Sequence, residues 1–245
     1  MIPTAEEQLY RKLNRRFQQA IRDYQLIADG DRILVGLSGG KDSLFLLEML
    51  AKRSKIDRPK FHLEAVHIRM TNISYESDTA YLEDFANSHG VKLNILETSF
   101  DASTDHRKSP CFLCSWNRRK QLFQYAQQQG CNKIALGHHR DDILHTALLN
   151  LLFQGQFSTM PVKIEMRKMP ITIIRPLATE EEADIRQYAE HRGYRKQTKI
   201  CPYDTATHRD AVRKLFEKIE EISPNARHSL WNALEAEEKL IETAE

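Results

Sequence analysis

The sequence contains few cysteines and tryptophans and no long hydrophobic run. It has 4 cysteines and 2 tryptophans among 245 residues, and its formal net charge is only +2. So few cysteines do not resemble the framework of a small disulfide-rich secreted protein. No apolar stretch reaches the roughly 18 residues that a membrane-spanning helix needs, and the first residues lack the apolar segment of a signal peptide. We therefore expect a cytoplasmic protein with no membrane partner.

Short apolar segments alternate with helical patterns along most of the chain, and 41% of the residues are hydrophobic, which suits one sizeable core. This alternation predicts an α/β fold with a doubly wound parallel sheet, which binds its ligands at the carboxyl ends of the strands. Five strands are predicted, at about 33–37, 62–68, 92–98, 133–137 and 171–176.

Both ends of the chain have helical patterns. An amphipathic helix is predicted over about 4–28, and two further helices are predicted over about 205–222 and 225–243. We therefore divide the chain into three predicted parts, namely an N-terminal helix within 1–30, a nucleotide-binding domain at 31–200 and a C-terminal helical extension at 201–245.

The segment Ser38-Gly39-Gly40-Lys41-Asp42-Ser43 follows the first predicted strand and precedes an apolar helix. Glycines between a strand and a helix let the backbone wrap an anion, and the helix start adds free N–H groups and a positive dipole end. The serine hydroxyls and the Lys41 ammonium add further donors. The segment predicts a phosphate-binding loop that differs from the Walker pattern. The alternative is a Gly-Gly turn that binds nothing.

Cys111 and Cys114 form a C-x-x-C pair at the start of a predicted helix. That position lowers the pKa of a thiol and suits either disulfide exchange or metal ligation. A redox pair, half of a zinc site, a set of iron–sulfur ligands and a partly buried pair without a ligand all remain open. Cys201 is the best candidate for a third ligand, whereas Cys131, between a helix end and a strand, is interpreted as a packed residue.

The segment Gly137-His138-His139-Arg140-Asp141-Asp142 follows the fourth predicted strand and faces the same cleft as the loop. A carboxylate of Asp141 or Asp142 there can hold Mg²⁺ against a triphosphate, although it can also simply cap the next helix. His67 and Gly137, at the carboxyl ends of two predicted strands, complete the candidate nucleotide-binding residues.

Basic residues flank the cysteines. No acidic residue occurs in 106–120 or in 191–199, and each stretch contains several lysines and arginines. Positive charge around a reactive site suits a polyanionic substrate such as RNA, and the alternative is solubilising surface charge.

These motifs together resemble the TtcA family, the tRNA 2-thiocytidine synthetases of the PP-loop ATP pyrophosphatase superfamily. The loop resembles its SGGxDS motif, and the resemblance continues in order over about 30–200. It is carried by Cys111-x-x-Cys114-Ser115-x-x-Arg118-Arg119, the segment 134–144, Leu149-Asn150-Leu151-Leu152-Phe153, Met160-Pro161 and Ile174-Arg175-Pro176-Leu177.

The resemblance implies a PP-loop, HUP-like fold and an enzyme that depends on ATP and Mg²⁺ and inserts sulfur at the 2-position of a cytidine in the tRNA anticodon loop. It implies a [4Fe–4S] cluster on Cys111, Cys114 and Cys201, pyrophosphate binding by Ser38–Ser43, and catalytic roles for Lys41, Asp141 and Arg118. The implied partners are tRNA and a sulfur donor such as a cysteine desulfurase. A homodimer is a hypothesis from the resemblance alone.

The chain departs from the family after the third cysteine. Relatives usually read P-C-N-x-C-G-S-Q there, whereas this sequence reads Ile200-Cys201-Pro202-Tyr203-Asp204. Three other functions therefore stay open: thiolation of another tRNA base in the manner of a 2-thiouridine synthetase, a PP-loop ligase that acts on a small molecule, and a non-catalytic nucleotide or cluster sensor.

Overall fold

A computed structural model of the protein describes residues 4–72, 78–101, 109–195 and 208–244. Cys201, the predicted third ligand, lies outside these residues. No helix in the described ranges is both long and apolar enough to cross a membrane. The division of the chain at 30/31 and 200/201 stays a prediction.

The described chain contains eight helices and seven strands, which alternate from α1 to α5. In order they are α1 (Ala5–Asp23), β1 (Arg32–Gly36), α2 (Lys41–Ser54), β2 (His62–Met70), α3 (Thr79–Ser88), β3 (Lys92–Thr98), α4 (Pro110–Gln128), β4 (Lys133–Ala135), α5 (Arg140–Gln154), β5 (Lys163–Glu165), β6 (Thr172–Ile174), α6 (Glu182–His191), α7 (His208–Ile222), α8 (Ala226–Ala236) and β7 (Ile241–Glu242).

The strands form one sheet in the order β3-β2-β1-β4-β6-β5-β7. The four ladders that join β3, β2, β1, β4 and β6 are all parallel. The strand order reverses between β1 and β4, so a crevice opens at their carboxyl ends, where such folds bind ligands. The loop after β1 and the segment after β4 therefore meet at this crevice.

The predicted α/β fold is confirmed, but the predicted strand count is wrong, since the sheet has seven strands rather than five. The missing strands are β5, which pairs antiparallel with β6, and β7, which pairs parallel with β5. The last predicted helix is also too long, because α8 ends at Ala236 and the buried Leu240 leads the chain into β7. The Leu240 carbonyl accepts a hydrogen bond from the Val162 amide at 2.7 Å.

Helices cover both faces of the sheet because β1 is apolar on both sides. Ile33 and Val35 belong to the larger core cluster, whereas Leu34, between them, belongs to a second cluster with Leu122 of α4. This alternation is the two-residue period of a strand. Phe17 of α1 is fully buried in the larger cluster, so α1 is part of the main core.

Glu48 is a fully buried carboxylate that joins α2 to the far end of α6. Its oxygens accept hydrogen bonds of 2.6 Å from the Tyr188 hydroxyl, the Tyr194 hydroxyl and the Lys52 ammonium. Burial favours the neutral acid, but these three donors favour the carboxylate more strongly, and the pKa of Glu48 falls to about 2. Helix α2, which follows the predicted phosphate loop, is thus fixed by a buried carboxylate that accepts hydrogen bonds from three donors.

Replacing Glu48→Gln should make the protein less stable at neutral pH and less sensitive to acid. A pKa lowered from 4.5 to about 2 contributes stability above pH 4.5, which is lost as the pH falls towards 2. Urea titrations should show that the variant loses about 3 kcal/mol of unfolding free energy at pH 7, with the deficit narrowing below pH 4.5.

The matched control is Glu97→Gln, at a mostly exposed ion pair with Arg69, which should change the unfolding free energy by less than about 0.5 kcal/mol. An equal deficit for Glu48→Gln at all pH values would show that the carboxylate charge does not carry the effect.

Candidate active site

The phosphate loop closes on itself through its two serines. Gly39 has a φ of +86°, a conformation that residues with a Cβ rarely adopt. The Ser43 hydroxyl accepts a hydrogen bond from the Gly39 amide at 3.2 Å and donates one to the Gly40 carbonyl at 2.9 Å. Ser38 Oγ lies 3.1 Å from Ser43 Oγ. Gly40, the N-cap of α2, has no side chain with which to cap the helix, which leaves the first-turn amides to an anion.

Gly137, just after β4, lies directly against this loop. A Cβ built on Gly137 would be 3.0 Å from the carbonyl carbon and oxygen of Asp42 and from the amide nitrogen of Ser43. These neighbours are backbone atoms at the start of α2, so they cannot move aside as a flexible side chain can. The close approach therefore requires a glycine here, and it fixes the loop against the segment that carries the candidate carboxylates.

The Lys41 ammonium points to two carboxylates. It lies 3.1 Å from Asp42 Oδ2 and 3.2 Å from Glu182 Oε1. Glu182, in the first turn of α6, also pairs with Arg186 at 2.7 Å and with Arg213 of α7 at 3.0 Å. Burial alone would raise the pKa of Glu182, but the three cations lower it to about 2. A single carboxylate thus holds three cations beside the phosphate loop.

Asp141, the first predicted metal carboxylate, is engaged by two other elements. It accepts a hydrogen bond from the Glu182 amide at 2.8 Å and forms an ion pair with Arg227 of α8. Arg227 also pairs with Glu220 of α7 at 2.9 Å. Burial acts to raise the pKa of Asp141, yet these donors hold it below the ordinary value. Asp141 is therefore an ionised, largely buried anion that joins α5, α6 and α8.

Asp142 is the more accessible carboxylate, with a side chain 39% exposed. Its Oδ2 accepts a hydrogen bond from the His139 amide at 3.1 Å, so Asp142 caps the start of α5. Capping was the alternative to metal binding in the interpretation of the sequence. Asp142 also lines a cavity of about 140 Å³ together with Arg209 and Arg213 of α7. A carboxylate and two guanidinium groups thus face the same space.

Several buried polar atoms around the loop fit a polar ligand. Within the described residues, Asp42 Oδ1 and His139 Nδ1 are buried and have no hydrogen-bond partner. His139 Nε2 lies 4.0 Å from Asp42 Oδ1. Buried polar atoms are normally satisfied. The glycine cradle and the α2 amides supply donors that fit the triphosphate of ATP, whereas the Asp42 oxygen, which can only accept, fits a cation that accompanies the triphosphate.

A second cleft, of about 160 Å³, opens beside the loop at the ends of β1 and β2. Its walls are mainly apolar, as an adenine ring requires, and Ser38, His67, Arg118 and Arg119 contribute the polar atoms. His67 Nδ1 donates to the Leu37 carbonyl at 2.8 Å. Burial first, then the nearby arginines, lower the pKa of His67, which is neutral at pH 7 and holds the residue before the loop.

The C-x-x-C pair occupies the first turn of α4. Cys111 is exposed, Cys114 is half-buried against Met70 and Phe100, and Cys131 is buried as predicted. Cys111 and Arg118 are seven residues apart on one helix, a rise of about 10 Å. Helix α4 therefore carries both the cysteines and a wall of the apolar cleft. No group of three metal-ligating side chains occurs among the described residues, which exclude Cys201.

Sequence reasoning did not identify Glu182 or Arg227 as members of this site. Lys41 and Glu182 are 141 residues apart, and neither acidic first turns nor a lone arginine is unusual in a helix. The available signal was topological, because α6 begins after β6, at the same edge of the sheet as the loop.

Comparison with known proteins places these features in a family. The sequence matches the family model of the PP-loop domain over residues 9–238. A tRNA-cytidine(32) 2-sulfurtransferase of Alkalilimnicola ehrlichii is 35% identical over 93% of this chain and 73% of its own length. The protein of the same name from Methylococcus capsulatus is 36% identical over 93% of this chain and 80% of its own length.

Among solved structures, the fold resembles the U34-tRNA thiolase NcsA from Methanococcus maripaludis, whose structure contains a [4Fe–4S] cluster. The TM-score is 0.78 at 22% sequence identity, and the match covers 94% of this chain and 80% of NcsA. At that identity the likeness concerns the fold, and it confirms the α/β architecture.

Replacing Gly137→Ala should weaken ATP binding by roughly tenfold or more, because the methyl group must displace the backbone of Asp42 and Ser43. Calorimetric titration with ATP measures this change, and circular dichroism checks that the fold is kept. Unchanged ATP affinity in a folded variant would contradict the assigned cradle.

Replacing Glu182→Gln should strengthen the binding of inorganic pyrophosphate without Mg²⁺ by roughly threefold or more, because three cations lose the anion that holds them. The gain should shrink at high salt.

The control is Glu181→Gln, which removes a neighbouring charge that pairs with Arg140 and Arg16 rather than with Lys41. Weaker pyrophosphate binding by Glu182→Gln would instead show that Glu182 positions the cations for the ligand.

Proposed function

This chain belongs to the TtcA family of PP-loop proteins, the tRNA-cytidine 2-sulfurtransferases, and from that membership we propose that it uses ATP to replace the 2-oxygen of a tRNA cytidine by sulfur. The relatives' names support cytidine 32 of the anticodon loop as the target. The observation that carries the proposal is that α4 bears the cysteine pair and also forms a wall of the cleft beside the phosphate loop.

The first chemical step activates the base. The cytidine 2-oxygen attacks the α-phosphorus of ATP, a new O–P bond forms, and the bond between the α-phosphorus and the bridging oxygen breaks to release pyrophosphate. Negative charge accumulates on the departing pyrophosphate, beside the α2 amides and the Lys41 ammonium. Donors positioned in advance at the developing charge stabilise this transition state.

The second step replaces the activated oxygen. Hydrosulfide attacks carbon 2 of the adenylated base, the carbon–oxygen bond breaks so that AMP leaves, and the hydrosulfide proton is lost to solvent as the carbon–sulfur double bond forms. The cysteine turn and the cleft share α4, so the incoming sulfur and the activated base are brought together on one rigid element, which converts a diffusive encounter into a local one. Arg118, which lines the cleft wall, would bind the departing AMP phosphate.

Two further groups belong to the proposal. Cys111 and Cys114, with Cys201, would hold a [4Fe–4S] cluster, which when bound supplies an open iron site for the incoming sulfur. Asp142, with Asp141, would hold Mg²⁺, which neutralises charge on the triphosphate. The exposed Cys111 thiol at a helix start fits thiolate ligation, and the accessible Asp142 carboxylate fits a hard cation.

The tRNA substrate, a cytoplasmic location, a sulfur donor such as a cysteine desulfurase and a homodimer complete the proposal. The anticodon loop suits this chemistry because its bases are unpaired, so the target base can leave its stack at small cost.

Incubation of the anaerobically reconstituted protein with unmodified tRNA, ATP and a sulfide source should yield 2-thiocytidine, measured by nucleoside mass spectrometry. Lys41→Ala should reduce pyrophosphate release by roughly a hundredfold, because the leaving charge loses its cation. Cys111→Ala should abolish the thiolated base and the cluster absorbance.

The matched control is Cys131→Ala, at a buried thiol outside the site, which should keep both signals. Appearance of 2-thiouridine instead would reassign the target base. Pyrophosphate release without RNA, unaffected by Cys111→Ala, would favour a ligase of small molecules.

A further inference from the structure

Helix α4 exposes two aromatic side chains one turn apart. Phe112 is 42% exposed and Trp116 is 48% exposed, although aromatic residues of this size usually contribute to a core. Residues four apart lie on the same side of a helix. Phe112 follows Cys111 directly, so the aromatic surface begins at the cysteine turn, the start of α4 that carries Cys111 and Cys114.

The charge on the same helix has one sign. Among its 19 residues, α4 contains Arg118, Arg119 and Lys120 and no aspartate or glutamate. The Lys120 ammonium lies 5.3 Å from the centroid of the Trp116 ring, so the ring is exposed with a cation over it. Arg118 and Arg119 continue to the wall of the apolar cleft.

We propose that Phe112, Trp116, Arg119 and Lys120, here called the α4 platform, bind unpaired RNA bases by stacking, with Trp116 as the principal contact. Aromatic rings interleaved with cations are the combination that binds single-stranded nucleic acid, because the rings stack on bases while the cations pair with phosphates. The inference rests on the proposed function and adds to it the surface on which the bases next to the target are held.

The composition of the α4 platform favours RNA over a protein partner. Helix α4 carries three cations and no anion, which complements a polyanion, and the nucleotide cleft adjoins the platform at Arg119. A base stacked on Trp116 therefore lies between the cysteine turn and the cleft, along the route that an RNA loop must take to reach the α-phosphate.

The test compares two RNA hairpins of anticodon-arm size, one with an intact loop and one whose loop bases are replaced by abasic nucleotides. Both carry the same phosphates, so only stacking distinguishes them. Wild-type protein should bind the intact hairpin more tightly, by roughly tenfold or more. Trp116→Ala should remove most of that preference, and Trp116→Phe should retain most of it.

The controls separate stacking from charge and from folding. Phe153→Ala removes another exposed aromatic ring, at the far end of α5, and should leave both affinities unchanged. Lys120→Ala should weaken both hairpins about equally and reduce the salt dependence of binding by roughly one ion. ATP affinity, measured alongside, should be the same for all four variants.

The outcomes distinguish this inference from the proposed function. Equal preference for the intact loop in Trp116→Ala and wild type would overturn the α4 platform, even if 2-thiocytidine still formed. Loss of that preference in a protein that thiolates no RNA would support the platform and refute sulfur transfer. A changed oligomeric state in Trp116→Ala, with unchanged RNA affinity, would overturn the inference in favour of a protein contact.

Discussion

The close approach between Gly137 and the backbone of Asp42 and Ser43 is the contact on which the site depends. The reversal of strand order between β1 and β4 opens a crevice, but an open crevice alone does not place two loops in register. The missing side chain at Gly137 lets the segment after β4 touch the start of α2. As a result the phosphate-binding amides and the carboxylates of α5 belong to one rigid unit.

The charges around that unit are balanced within the protein. Glu182 holds Lys41, Arg186 and Arg213, and Arg227 neutralises Asp141. Buried or half-buried ions are stable only when they are paired, so the site keeps its cations in place through neighbouring carboxylates. When a triphosphate binds, these cations exchange one anionic partner for another. They do not have to be gathered from solvent.

The sequence allowed much of this fold to be predicted, because local signals were strong where the site lies. The apolar run before Ser38–Ser43 and the helix after it indicated strand, loop and helix, and the structure has all three. The strands β5 and β7 were missed because each contains a single apolar residue, whereas the equally short β4 and β6 lie in longer apolar runs. The pairing of Lys41 with Glu182 depends on tertiary folding, which no local pattern records. The roles of the site residues stay predictions.

Arg227 comes late in the chain, yet it compensates the carboxylate of Asp141 in the middle of the molecule. The strand β7, which follows it, forms one edge of the sheet. During synthesis the earlier part of the chain leaves the ribosome first. A nascent chain that stops before α8 keeps a buried aspartate without its cation, at a cost of roughly 3–5 kcal/mol for such an unpaired charge. The chain must therefore be synthesised through α8 before the pocket is stable, and a product that ends before α8 should unfold more readily and be more open to proteolysis.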